Sequence, residues 1–241
     1  MRFDPPLQSA RLIRRYKRFL ADIKFDDGTT STAHCPNPGS MMGLAEPGVE
    51  VWVSKSTNPK RKLGWSWELV ATSVLSDDTP SVLVGIHTSR ANDLAKEAIE
   101  AGHITELNRY DTLHREQRYG ENSRIDLLLE NSKTDDNAWV EVKSVTLSRQ
   151  AGVAEFPDAV TSRGKKHLSE LGRLAREGKR AVMLYVIQRN DCTKMCLAND
   201  IDPTYAKAAQ EATQAGVEML CYDCYITPDD ITLHNAIPLI I

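Results

Sequence analysis

Two hydrophobic rhythms divide the chain. From about Ala10 to Val84, apolar positions recur in short runs rich in β formers, such as Leu12–Phe25 and Val49–Ser54. Turn signals separate them: Asp27-Gly28, Pro36-Asn37-Pro38-Gly39, Pro47-Gly48 and Asn58-Pro59. Several short strands at this spacing predict a small β-barrel, and an oligonucleotide-binding (OB) barrel is the size that fits. From about Arg90 the period lengthens. Ala91–Ala101 reads as a helix, and Leu113–Tyr119, Ser123–Glu130 and Ala138–Thr146 read as strands. A second helix over Ser162–Glu177 is closed by Gly178. Ala181–Ile187 (AVMLYVI) is apolar throughout, which predicts a strand buried on both faces. Asp202-Pro203 supplies an N-cap and a proline at the first helical position, Gly216 ends that helix, and Val217–Tyr222 follows as a strand. The order α-β-β-β-α-β-α-β predicts a mixed sheet flanked by helices, of α+β or α/β class. The expected domains are residues 1–86 and 87–241, and the apolar tail Ile237–Ile241 reads as a final strand or an interface.

Composition narrows the class. With 241 residues, 41% hydrophobic and 26% charged, the chain is long enough and apolar enough for a packed core. No apolar run approaches the roughly 18 residues that span a bilayer. The opening MRFDPPLQSARLIRRYKRF has no apolar stretch behind its basic residues, so a cytoplasmic protein without membrane association is expected. Five cysteines, an odd number, argue against a secreted disulfide framework. The net charge of −3 conceals an asymmetry: residues 1–70 carry 11 Lys and Arg against 7 Asp and Glu, and the remainder 19 against 26. Cations in the front part are interleaved with aromatics: Arg14, Arg15, Tyr16, Lys17 and Arg18 before Phe19, then Lys60, Arg61 and Lys62 before Trp65 and Trp67. Single-stranded nucleic acid is held by this combination, cations on phosphates and rings under bases. A solvated strand face with core aromatics is the alternative.

The chemistry concentrates in SRIDLLLENSKTDDNAWVEVKS. Side chains alternate along a strand, so Trp139, Glu141 and Lys143 share one face and Val140 and Val142 the other. A hairpin centred near Thr134, inside the polar turn Asn131–Asn137, sets Asp126 opposite Glu141 or Lys143. Two carboxylates and an ammonium amid apolar residues are costly unless something uses them. Mg²⁺ or Mn²⁺ binds through one or two carboxylates plus phosphate oxygens and water, which makes Asp126 and Glu141 the candidate metal ligands. With Lys143 they form the candidate catalytic set, the lysine orienting water or offsetting phosphate charge. A structural salt bridge on a sheet surface is the plainer reading.

The helix SRGKKHLSELGRLAREG opens with cations, where the macrodipole disfavours them, unless an anion binds there. Arg163, Lys166 and His167 fall at i, i+3 and i+4 and are expected to contact phosphate from a solvent-facing side. Leu168, Leu171 and Leu174 form the expected buried stripe. Cys192-x3-Cys196 and Cys221-x2-Cys224 could make a zinc site, but a separation of three on a strand points the latter pair to opposite faces, which favours cysteines packed as small apolar residues. His34-Cys35, without an acid–base partner nearby, reads as structural. No phosphate loop, dinucleotide fingerprint or HExxH occurs, so no organic cofactor is expected.

Asp126 followed by Glu141-x-Lys143 resembles the PD-(D/E)xK nuclease superfamily, although Arg124-Ile125 stands where a proline usually precedes the aspartate. Longer blocks resemble the sugar fermentation stimulation protein family: His34-Cys35-Pro36-Asn37, Ser123-Arg124-Ile125-Asp126, Glu141-Val142-Lys143-Ser144-Val145-Thr146-Leu147, Phe156-Pro157-Asp158-Ala159-Val160-Thr161 and Arg163-Gly164-Lys165-Lys166-His167-Leu168. The match covers nearly the whole chain. This resemblance implies an N-terminal OB-like domain, a C-terminal restriction-nuclease-like domain, DNA binding without strong sequence preference, and a regulatory role in sugar (maltose) metabolism. In nuclease-like folds of this type the helix after the Glu-x-Lys strand commonly lines the site. A Mg²⁺-dependent nuclease acting on DNA or RNA and a non-cleaving DNA-binding protein both fit.

Overall fold

The computed structural model describes residues 1–72, 82–119, 123–134 and 136–240, so Asp135 of the expected turn and Ile241 of the expected tail lie outside the described residues. The described residues of the front part form six strands: β1 (Gln8–Tyr16), β2 (Leu20–Lys24), β3 (Thr30–His34), β4 (Glu50–Lys55), β5 (Trp65–Thr72) and β6 (Val82–Gly85). They pair in the order β3-β2-β1-β4-β5-β6, and a parallel β3–β5 pairing closes the sheet into a barrel. Alternate residues point inward, so Ala10 and Leu12, Ala21 and Ile23, and Val51 and Val53 pack around the fully buried Trp67. The expected single segment Leu12–Phe25 is in fact a hairpin. It turns at Lys17–Phe19, with Lys17 (φ 47°) and Arg18 (φ 64°) in the left-handed region. Arg15 holds the turn, donating to the carbonyl oxygens of Arg18 (3.1 Å), Asn37 (2.9 Å), Gly39 (2.9 Å) and Ser40 (3.2 Å).

The second part contains α1 (Arg90–Glu100), β7 (Thr112–Tyr119), β8 (Ser123–Asn131), β9 (Asp136–Val145), β10 (Leu147–Gln150), β11 (Gly152–Phe156), α2 (Ser162–Arg176), β12 (Arg180–Ile187), β13 (Cys192–Leu197), α3 (Pro203–Gln214), β14 (Glu218–Ile226), β15 (Ile231–Ala236) and β16 (Leu239–Ile240). Its main sheet runs β15-β14-β12-β9-β8-β7, with parallel pairs at the centre and antiparallel ones at both edges. β12 is central and buried on both faces: Val182, Leu184 and Val186 meet α1, while Ala181, Met183, Tyr185 and Ile187 meet α2 and α3. Each valine, leucine, isoleucine and methionine among them contributes about 1.5–3 kcal/mol by leaving water. Asp202 caps α3 by accepting from Tyr205 N (2.9 Å), and its other oxygen accepts from Thr161 N (2.8 Å), which joins the N-termini of α3 and α2. A second sheet, β10-β11-β13-β16, departs from the expected element order. The tail supplies its last strand.

The two parts are bolted together. Glu68 of β5, only 2% exposed, accepts from Ser54 Oγ (2.7 Å) and from Arg90 at the start of α1 (3.1 and 3.2 Å). Gly85 N donates to Gln188 O (2.9 Å), and Gln188 Nε2 donates to Ser144 Oγ (2.7 Å). Among the described residues, no helix is long and apolar enough to cross a membrane.

Candidate functional site

The β8–β9 register pairs Leu127 with Val140 and Leu128 with Trp139, and one further step sets Asp126 opposite Glu141. The ladder gives way there: Val142 N donates to the Asp126 carboxylate (Oδ2, 2.8 Å) rather than to a backbone carbonyl. Asn92 Nδ2, from α1, donates to Oδ1 at 3.0 Å. Burial and the neighbouring charge of Glu141 raise the proton affinity of Asp126 above that of an ordinary aspartate. Glu141 is 1% exposed. Burial alone would raise its pKa, but His167 and Lys143 outweigh that and hold it below the usual glutamate value.

All the partners of Glu141 lie on one oxygen. Oε1 accepts from Lys143 Nζ (2.5 Å) and from His167 Nδ1, whereas Oε2 is buried with no hydrogen-bond partner, the only such side-chain atom among the described residues. The tautomer of His167 follows from its far side. Arg163 Nε can only donate, so His167 Nε2 accepts from it at 3.3 Å, and a carboxylate can only accept, so Nδ1 donates to Glu141 even though Lys143 Nζ also lies 3.3 Å from it. The expectation that His167 faces solvent is therefore corrected: the residue is 8% exposed and its ring braces Glu141.

Asp126, Glu141, Lys143 and His167 line a cleft of about 620 Å³ between barrel and sheet, with Arg18, Asn37, Gly39 and Thr88 on one wall and Glu155, Asp158, Val160 and Arg163 on the other. The lips touch where Ser40 Oγ and Met41 N each lie 3.4 Å from Asp158 Oδ2. Gly39 permits this approach, since a Cβ there would stand 2.1 Å from the same oxygen. All four non-glycine residues with left-handed φ among the described residues belong to this region: Lys17, Arg18, Met41 (φ 53°) and Glu116 (φ 53°). Glu116 lies opposite Asp126 across the β7–β8 pair and also lines the cleft. Such conformations cost about 1–3 kcal/mol each and gather where a surrounding structure holds a site in shape.

The other expected contacts divide. Arg18 and Arg163 are exposed on the cleft walls. Lys166 is exposed outside the lining, its Nζ 3.6 Å from Glu170. Arg14 pairs with Asp22 (2.8 Å) and stacks over Tyr16, whose hydroxyl also donates to Asp22 (3.2 Å). Lys60, Arg61 and Lys62 are exposed between β4 and β5, also outside the lining, and Arg61 donates to Ser66 Oγ (3.1 Å). Trp67 is core rather than a stacking platform. Cys35, Cys192, Cys221 and Cys224 are packed in the three cores, with Cys221 and Cys224 on opposite faces of β14. Asn92 and Glu116 carried no signal in the sequence, whereas Asp158 and Val160 stood within a block matched to the family.

Comparison with known proteins agrees with this architecture. Residues 13–86 match the SfsA N-terminal OB domain, and residues 89–230 match the sugar fermentation stimulation protein RE domain. The sugar fermentation stimulation protein homolog of Paramagnetospirillum magneticum is 53% identical over 233 residues, covering 97% of this chain and 95% of its own. That of Roseobacter denitrificans is 53% identical over 240 residues, 99% of each chain. The solved structure of Pyrococcus furiosus SfsA in complex with Ca²⁺ superposes with a TM-score of 0.85 at 27% identity, covering 100% of this chain and 98% of that one. An N-terminal OB barrel and a mixed-sheet RE domain, matched along nearly their whole length, place the chain in the sugar fermentation stimulation protein family.

Proposed function

We propose that this chain binds nucleic acid, DNA foremost, in the cleft between its two domains, divided at residues 86 and 87, and that Asp126 and Glu141 hold Mg²⁺ or Mn²⁺ on the cleft floor. One observation carries the reading. Glu141 Oε2 is a buried carboxylate oxygen without a donor, beside an aspartate whose ionisation is disfavoured. A divalent cation answers both conditions, and carboxylate oxygen is the donor chemistry it prefers. The Ca²⁺ complex of the Pyrococcus furiosus relative supports the same reading. Bound there, a cation supplies charge neutralisation for phosphate oxygens. His167 and Lys143 hold Glu141 so that Oε2 remains free, while Asn92 and Val142 N fix Asp126. Arg18 and Arg163 offer guanidinium groups to the phosphate backbone, which favours affinity that varies little with sequence. Binding of this kind suits a regulatory role in sugar metabolism, and a cytoplasmic location follows from it.

A second reading, hydrolysis of the phosphodiester, is favoured by Lys143, whose ammonium sits beside Glu141 in the position to orient water or balance phosphate charge. Calorimetry with Mg²⁺, Mn²⁺ and Ca²⁺, joined to gel-shift and cleavage assays with and without EDTA, separates the readings. Metal binding that is lost in Asp126→Asn and Glu141→Gln, with DNA affinity that rises with metal, is expected. No heat of binding at millimolar metal would refute the metal site, and cleavage lost in Lys143→Ala with metal binding retained would establish hydrolysis.

A further inference from the structure

Three of the six large apolar side chains exposed among the described residues belong to segments that border this one cleft: Phe19 (44%), Met42 (51%) and Val160 (75%). Val160 lines the cleft itself. Phe19 follows the cleft-lining Arg18, and its ring stacks on that of His34 at 6.4 Å and 27°. Met42 follows Met41, whose N–H reaches Asp158, two residues before Val160. A single exposed apolar residue is ordinary, but several around one opening mark a surface that something covers. Arg18 and Arg163 stand among them, exposed and without an ion pair among the described residues. The bordering segments therefore bring exposed apolar groups and these two guanidinium groups to one cleft, whose lining also carries the carboxylates of Glu116, Asp126, Glu141, Glu155 and Asp158.

This pattern selects among nucleic acids. A duplex shows phosphates and base edges, with the faces of its bases stacked inside. A single strand shows phosphates and base faces together, which is what interleaved cations and apolar side chains recognise. Resting on the nucleic-acid reading above, we infer that the occupant is a single strand. Its phosphates lie between Arg18, Arg163 and the floor, and its bases turn outward onto Phe19 with His34 behind it, Met42 and Val160. Phe19 supplies a stacking face, Met42 a flexible thioether that adapts to any base, and Val160 a wedge against the next one. The preference is then for single-stranded or locally melted DNA, without regard to sequence.

Fluorescence anisotropy with the full chain tests this, using one labelled oligonucleotide as a single strand, the same sequence as a duplex, and a strand of equal length made of abasic sites. The single strand should bind at least tenfold more tightly than either of the others. Phe19→Ala should weaken single-strand binding about tenfold, the loss of one stacked base, and leave the abasic strand unchanged. Met42→Ser and Val160→Ser should weaken it by smaller factors. Duplex bound as tightly as single strand, with the abasic strand equal to both, would overturn the inference and leave the nucleic-acid reading standing. Rim substitutions that change no affinity would also overturn it, that being the behaviour of a rim serving another protein. Failure of all three polymers to bind would overturn the nucleic-acid reading itself.

Discussion

Alanine at position 167 tests the construction of the site most directly. His167 is 8% exposed, its Nδ1–H donates to Glu141 Oε1 and its Nε2 accepts from Arg163. Removal of the ring takes one of two donors from a buried carboxylate, and a hydrogen bond to a charged group contributes about 1.5–3 kcal/mol. The cavity left by the imidazole adds about 1 kcal/mol or more. The expected loss is about 3–4 kcal/mol, or roughly 10 °C in Tm for a chain of this size. A histidine on an exposed helix face would cost less than about 0.5 kcal/mol. Urea denaturation in EDTA at neutral pH reads the difference, with linear extrapolation to water. Because the bond is shielded, the loss should be nearly the same at low and high salt. His167→Asn, whose amide can take the place of Nδ1–H, should recover part of the loss. A change under about 0.5 kcal/mol, or no recovery with asparagine, would refute the bracing role.

Glu68→Gln should lower stability by about 1–3 kcal/mol in the same urea assay, because Arg90 and Ser54 lose a charged acceptor inside the domain boundary; an unchanged midpoint would count against the bolt. Gly39→Ala should destabilise by about 1–3 kcal/mol through collision with Asp158. Most of that should return in the double variant with Asp158→Ala, and purely additive effects would show that the lips do not meet. Arg149 holds the Asp200 carboxyl down at about 2. A depressed native pKa gives stability that is whole above the unfolded value of roughly 4 and fades as pH falls towards 2, so Asp200→Asn should flatten the Tm profile across that window. Identical acid profiles would dismiss the pair.

Features written in local sequence were legible. The seven-residue apolar run of β12, the Asp202-Pro203 helix start and the pairing of Asp126 with Glu141 each depend on periodicity or turn length within a few dozen residues. The Lys17–Phe19 turn was not legible, because it holds no glycine, proline or asparagine and is fixed by Arg15 reaching carbonyls more than twenty residues away. The sheet β10-β11-β13-β16 was hidden for a similar reason: its parallel pairs join short, partly polar segments that lie far apart in the chain, β11 and β13 across α2 and β12, β13 and β16 across α3, β14 and β15. The burial of His167 had a visible signal. Gly164, His167, Leu168, Leu171 and Leu174 form one continuous helical stripe, and the surrounding cations drew the histidine into the wrong set. The role of Asn92 depends on how α1 packs, which no neighbouring residue announces.

The left-handed turn at Lys17 and Arg18 has an evolutionary consequence. Side chains other than glycine and asparagine are strained there by about 1 kcal/mol or more each. Selection for thermal robustness alone would drive these two positions towards asparagine and glycine. Such a barrel would be firmer, yet it would lack the guanidinium that Arg18 presents to the cleft. Under the proposed function, stability and ligand affinity are set against each other at Arg18, where the side chain that strains the turn is also the one that faces the cleft.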